Sequence, residues 1–116
     1  MSPPLAVPPE ALAQVQAFCA SRVPEGLRDE IRLECSPRGN TITIAERRPP
    51  WKPELGPEWS TLKVAQLRHD QHTEAWSLYC ADRNGRWFPY DEIDPSKDVG
   101  RLLGEIDSDP TGIFWG

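Results

Sequence analysis

Several classes of protein are excluded by what this 116-residue sequence lacks. It has no apolar run near the ~20 residues that a membrane helix needs. Its first residues show no basic segment followed by an apolar stretch, so we expect neither a secretory signal nor a membrane partner. It also has no glycine-rich phosphate loop, no HExxH spacing and no Ser-His-Asp order. The sequence therefore indicates no catalytic residue, no metal site and no cofactor, and an enzyme is the less favoured class.

Cysteine is scarce as well. The three cysteines, Cys19, Cys35 and Cys80, are odd in number, far apart and without a CxxC spacing. Each lies in an apolar pattern, where a free cysteine behaves as a small hydrophobic residue. A disulfide framework is not expected, and the sequence predicts reduced, buried thiols in a cytoplasmic protein.

The net charge of −5 is unevenly distributed along the chain. Residues 1–46 carry four basic and six acidic groups (−2), residues 47–90 seven and five (+2), and residues 91–116 two and seven (−5). The acidic C-terminal third argues against a protein that coats DNA, which would normally be basic. The basic middle leaves room for one small anion-binding patch.

Proline and tryptophan, in contrast, are plentiful, with 13 and five copies. The segment 47–59 holds four of these prolines and two of the tryptophans. Proline donates no backbone hydrogen bond and moves the residue before it out of the helical region. We therefore predict a long, stiff connection, here called the Pro/Trp loop, that either packs back onto the body or binds a partner.

Hydrophobic periodicity predicts two helices and five strands. The first helix spans about 9–21 and the second begins near 94–96. Their apolar stripes are Leu12, Val15, Phe18 and Cys19 in the first helix and Val99, Leu102, Leu103 and Ile106 in the second. The strands cover about 31–35, 41–44, 62–68, 75–81 and 86–90, with Leu62 and Val64 in phase.

The predicted fold is α+β. A five-stranded, mostly antiparallel sheet has an N-terminal and a C-terminal helix on one face, and the Pro/Trp loop lies between strands 2 and 3. Residues 1–8 are predicted to be a flexible arm and residues 9–116 a single domain. The apolar ending at 113–115 is expected to dock on the body.

The turn at 82–85 allows two registers for the last hairpin. A two-residue loop pairs Arg83 with Arg86, which are like charges. A three-residue loop, with Gly85 in the left-handed conformation, pairs Asp82 with Arg86. We favour the second register because it pairs opposite charges and gathers more apolar residues on one face. That face would hold Trp76, Leu78, Cys80, Phe88 and Tyr90.

Two clusters contain residue types that bind metals. His69, Asp70 and His72 could hold zinc or iron, but they fall at a predicted turn, where polar residues are expected in any case. The acidic residues of 91–94 could bind a cation, but they precede a predicted helix, where carboxylates favour the helix dipole. We interpret the first cluster as a solvated turn and the second as helix capping.

The best candidate for a binding site combines basic and aromatic residues. Guanidinium groups bind phosphate or carboxylate in bidentate fashion, and aromatic rings offer stacking faces. The alternative is that the tryptophans fill the core and the arginines cover them. The candidate residues are Arg47, Arg48, Trp51, Lys52, Trp59, Tyr79, Arg83, Arg86 and Trp87.

Four segments resemble a bacterial family known as domain of unknown function 3024. They are 48–51, 56–59, 76–79 with 82–84, and the ending 109–116. The resemblance covers most of the chain from the first helix onward. It implies no activity, and no catalytic residue is carried over from it.

Three functions remain open from the sequence. The first is a small cytoplasmic, non-enzymatic interaction module that uses the Pro/Trp loop and the exposed sheet face to bind a protein partner or a second copy of itself. The second is single-stranded nucleic-acid binding through the arginine and aromatic residues, which is not favoured. The third is a small metal-dependent enzyme that uses the acidic cluster.

Overall fold

The computed structural model describes residues 7–27, 29–50, 52, 54 and 56–115. The strands are antiparallel throughout and lie side by side in sequence order. This confirms the predicted α+β fold with five strands and terminal helices. No helix in the described part of the chain is long and apolar enough to cross a bilayer. The elements are α1 (Pro9–Arg22), β1 (Arg32–Arg38), β2 (Thr41–Arg48), β3 (Ser60–His69), β4 (Trp76–Ala81), β5 (Trp87–Pro89) and α2 (Val99–Ser108).

The last hairpin adopts the three-residue loop that the charges favoured. Gly85 has φ +77°, and the Asp82 amide donates to the Arg86 carbonyl at 2.9 Å. The Asp82 carboxylate also accepts from the Asn84 and Arg86 amides, at 2.8 and 2.9 Å. Cys80 therefore pairs with Phe88, as predicted. A glycine is needed at position 85 because side chains rarely tolerate this backbone conformation.

The middle of the sheet contains a bulge that the sequence did not predict. Ile44 pairs with Ala65 but Ala45 pairs with Lys63, which leaves Val64 as an extra residue in β3. Val64 is buried, whereas Leu62 is 62% exposed. The expectation that these two residues share an environment was wrong, since a bulge breaks the alternation of a strand.

Helix α1 begins directly after Pro8, whose carbonyl accepts from the Leu12 amide at 3.1 Å. Proline is acceptable at the first helical position because its amide would have no partner there. The predicted stripe packs on the sheet, with Val15 and Cys19 buried and Leu12 and Phe18 at the margin of the core. Of the predicted flexible arm, residues 1–6 lie outside the described residues, and Val7 is buried in the core.

Helix α2 begins four residues later than the sequence suggested. Asp98 is the N-cap, and its carboxylate accepts from the Gly100 amide at 2.9 Å. Ser96, which we had placed in the cap region, forms a backbone bridge with Trp76 instead. The predicted stripe is buried as expected, with Leu102 and Ile106 fully enclosed. Both helices pack on the same face of the sheet, here called the inner face.

The C-terminal tail docks beside α2. Asp109 ends the helix with φ 44°, and its carboxylate accepts from the Phe114 and Trp115 amides at 3.1 and 2.9 Å. The Trp115 indole donates to the Ile106 carbonyl at 2.7 Å. Phe114 is buried, but Ile113 is 40% exposed. The docking prediction is confirmed for the two aromatic residues and wrong for Ile113, which is exposed.

Deleting residues 113–116 should lower the free energy of unfolding by about 3–5 kcal/mol, because a buried aromatic side chain and several hydrogen bonds are lost. Denaturant titration of the full and shortened chains measures this difference. Ile113→Ala is the control and should change stability by roughly 0.5 kcal/mol or less, as expected for an exposed position. An unchanged midpoint after the truncation would contradict tail docking.

The three cysteines are free, as predicted. Cys19 and Cys80 are buried and Cys35, which is half-buried, lies at the margin of the core. Burial, with a smaller contribution from neighbouring Cys35, raises the pKa of Cys19 to about 12 from an ordinary value of 9.0. Burial also raises the pKa of Cys35 and of Cys80. All three thiols are therefore protonated, and weakly nucleophilic, at neutral pH.

The raised pKa of Cys19 predicts a pH-dependent loss of stability. Above pH 9 the unfolded chain releases the Cys19 proton while the folded chain keeps it, so this contribution is fully present below pH 9 and is lost as pH rises through about 12. Denaturant titrations across this range should show a shallower fall in stability for Cys19→Ala than for the natural chain. Equal slopes would show that the Cys19 thiol is not held protonated by the fold.

Candidate functional site

The face of the sheet that points away from both helices is here called the outer face. Residues alternate along each strand, so the neighbours of inner-face residues point to the outer face. The register of the strands assigns this face to Arg32, Glu34, Ser36, Arg38, Thr41, Thr43, Ala45, Arg47, Thr61, Lys63, Gln66, Arg68, Ser77, Tyr79, Ala81, Trp87 and Pro89.

The outer face is strongly basic. Its strand residues include five cations and one carboxylate, a net charge of +4 on a chain whose total is −5. Two of the cations, Arg32 and Arg47, lie directly opposite each other on β1 and β2. Like charges in this position destabilise a sheet. Glu34, the one carboxylate among these strand residues, lies 3.7 Å from Arg47 and offsets part of this repulsion.

Three cations of this surface lie over aromatic rings. Arg68 is 3.7 Å from the ring centre of Tyr79, and Lys63 is 5.5 Å from that of Trp87. Arg32 is 4.3 Å from the ring centre of Trp59, which immediately precedes β3. Each such contact contributes roughly 0.5–1 kcal/mol at an exposed site. The rings thus fix where the positive charges are displayed.

Hydrogen bonds and one ion pair also hold cations of the outer face in place. Arg68 donates to the Gln66 side chain at 2.8 Å, and Gln66 donates to the Thr43 hydroxyl at 3.0 Å. Lys63 donates to the Gly85 carbonyl at 2.8 Å. Arg47 lies 3.7 Å from the Glu34 carboxylate. Because these side chains are already ordered, binding a partner would cost them less conformational entropy.

Arg47 and Arg48 point to opposite faces, because adjacent residues of a strand alternate. Arg47 belongs to the outer face, whereas Arg48 pairs with Glu46 at 2.5 Å on the other side. The predicted pair of arginines is therefore divided by the sheet.

The remaining candidates are distributed between the outer face and the loops. Tyr79 and Trp87 lie on the outer face, and Trp59 adjoins it. Arg83 and Arg86 are exposed at the turn between β4 and β5. Lys52 is exposed in the Pro/Trp loop, and Trp51 lies outside the described residues.

Four cations of the outer face were not singled out from the sequence. The alternation of each strand could have identified these cations, because they occupy the positions between residues that face the core. They are Arg32, Arg38, Lys63 and Arg68.

The histidine cluster does not converge. His69 is buried, 4.7 Å from the Trp76 ring centre, while His72 is exposed in the turn. The Asp70 carboxylate accepts from the His72 and Thr73 amides, and these bonds lower its pKa. The interpretation as a solvated turn holds for Asp70 and His72 but was wrong for His69, which belongs to the core.

The acidic residues of 91–94 are all exposed and do not cap α2, which corrects the second interpretation. In the described ranges, no group of three or more His, Cys, Asp or Glu residues is placed to hold a metal ion.

A family model described as "Domain of unknown function (DUF3024)" matches residues 6–116. The chain belongs to this family. No curated protein and no solved structure matches the chain. The resemblance seen in the sequence is therefore confirmed over nearly the whole chain.

The segments that resemble DUF3024 have different places in the structure. Trp76 and Leu78 of β4 are core residues, and Phe114 of the tail is buried. In contrast, the rings of Tyr79 and Trp59 contact the outer-face cations Arg68 and Arg32. The DUF3024 segments thus contribute both to the core and to the basic surface.

Proposed function

We propose that this protein is a non-enzymatic binding module of the bacterial cytoplasm, in which residues 9–116 act as one domain and the outer face binds an acidic segment of another protein. The observation that carries the proposal is the net charge of +4 on the outer face of a chain with a net charge of −5. Such a separation of charge steers an acidic partner to one side of the molecule. The free, protonated thiols support a reducing compartment.

The cation–ring contacts favour a protein partner over nucleic acid. Single-stranded nucleic acids bind sheet faces by stacking bases on open aromatic rings. Here a cation lies over each of the rings of Trp59, Tyr79 and Trp87, so a base would have to displace it. Carboxylates need no displacement, since they bind to the cations directly.

The charge on the outer face is tested by a double reversal, Lys63→Glu with Arg68→Glu. The matched control, Arg48→Glu with Arg101→Glu, changes the net charge equally at exposed positions away from this face. The ligand is a fluorescent polyglutamate peptide, and the measurement is anisotropy at low salt. Each reversal removes one attraction and adds one repulsion of roughly 0.5 kcal/mol. We therefore expect the outer-face variant to bind about tenfold or more weakly, and the control to change much less.

A labelled oligothymidine in the same assay distinguishes the two classes of partner. Tighter binding of oligothymidine than of polyglutamate, lost in the outer-face variant alone, would replace the acidic protein with a nucleic acid. Equal losses for both double variants would show that only net charge matters. Absence of polyglutamate binding to the natural chain at low salt would contradict the proposal.

A further inference from the structure

The two edges of the sheet differ in their capacity to accept another strand. β5 is only three residues long and ends at Pro89, and the far end of β4 is bridged by Ser96. Short strands and prolines protect an edge from pairing. β1 is seven residues long and pairs only with β2 within the described ranges. The β1 edge is therefore the one open to a partner.

The hairpin geometry defines which backbone groups of β1 point outward. A two-residue loop, Gly39-Asn40, joins β1 to β2, so Arg38 and Thr41 form its closing hydrogen-bonded pair. Because the register is continuous, even-numbered residues of β1 bond to β2 and odd-numbered ones point away. Pro37 falls in the outward set, where its missing N–H costs nothing. The N–H and C=O groups of Leu33 and Cys35 therefore point to the edge of the sheet, beyond which no described strand lies.

A groove runs along the inner side of this edge. It has a volume of about 340 Å³ and lies between α1 and β1. Its apolar lining comes from Cys19, Ala20 and Val23 of the helix side and from Leu33 and Cys35 of the strand. An added strand would place every second side chain beside this groove.

The charges of β1 are complementary to those of a second β1 in one register. Arg32 and Glu34 lie two residues apart on the outer face. When two β1 strands run antiparallel with Leu33 opposite the partner's Leu33, Arg32 lies opposite the partner's Glu34 and Glu34 opposite the partner's Arg32. Opposite charges in these positions stabilise strand pairing.

The neighbouring registers are disfavoured by the same residues. A shift of one step in one direction places Glu34 opposite the partner's Glu34. A shift of one step in the other direction places Arg32 opposite the partner's Arg32. Like charges directly opposite are destabilising, so the edge specifies one pairing and opposes the alternatives.

We propose that two copies of this chain pair through their β1 edges, antiparallel about a two-fold axis at Leu33, to form a continuous ten-stranded sheet. Four backbone hydrogen bonds result. Two join Leu33 of one copy to Leu33 of the other, and two run from the Cys35 amide of each copy to the Ile31 carbonyl of the other. The Ile31 amide is not available for pairing, because it already donates to the Leu27 carbonyl of its own chain. The two-fold axis is perpendicular to the sheet, so both outer faces lie on the same side. The dimer does not depend on what the outer face binds.

The charge register is tested by sedimentation equilibrium of single and double variants over a wide range of protein concentrations. Glu34→Arg and Arg32→Glu each place like charges opposite at two symmetric positions, and each should weaken the dimer about tenfold or more. The combination R32E/E34R restores both opposite-charge pairs and should recover most of the dimer. Arg38→Glu is the control on the same strand and face, outside the paired stretch, and should leave dimerisation unchanged.

Leu33→Cys locates the two-fold axis. Mild oxidation should link two copies of this variant covalently, while the natural chain stays unlinked because its Cys35 residues would be four residues apart along the paired strands, about 13 Å. The charge substitutions are at exposed positions, and their unfolding midpoints confirm that each variant folds. A natural chain that stays monomeric at all concentrations would overturn the proposal. A dimer that is insensitive to both single reversals, or a Leu33→Cys variant that does not link, would also overturn it.

Discussion

The sheet has two faces, and the chain supplies helices for only one of them. Val15 of α1 and Leu102 and Ile106 of α2 are fully buried against the inner face. The outer face therefore depends on its own side chains to shield the backbone and the rings that lie on it. It does so with cations placed over half-buried rings, as Arg68 over Tyr79. The aliphatic part of such a side chain covers apolar surface while its charge stays in water.

This arrangement makes the basic surface a consequence of the fold as well as a candidate site. A cation anchored by a ring and a hydrogen bond, such as Lys63 between Trp87 and the Gly85 carbonyl, presents its charge at a defined position. Arg32 and Arg47 lie opposite each other as like charges, but Arg32 lies over the Trp59 ring and Arg47 lies 3.7 Å from the Glu34 carboxylate. The β1 edge is proposed as a second surface, and its paired charges, Arg32 and Glu34, belong to the margin of the outer face.

Alternation and turn chemistry were sufficient to predict the fold, and charge pairing selected the register of the last hairpin. The start of α2 was misplaced because Asp94-Pro95 resembles a helix start, whereas Ser96 is needed to bridge Trp76. The extra residue at Val64 could not be predicted, since a bulge depends on contacts across strands. The candidate site was predicted only in part. Arg47 and Arg48 were grouped by sequence proximity, although strand geometry places them on opposite faces.

The central claim, that the outer face is the binding surface, is tested most directly by amide chemical shifts. The ¹⁵N-labelled protein would be titrated with polyglutamate at low salt and its backbone resonances followed. The account predicts progressive shifts in β2, β3 and β4, centred on Thr43, Gln66, Arg68 and Tyr79, that disappear when salt is added. Amides of α2 should not move. Shifts confined to the helical side, or no shifts at all, would contradict it.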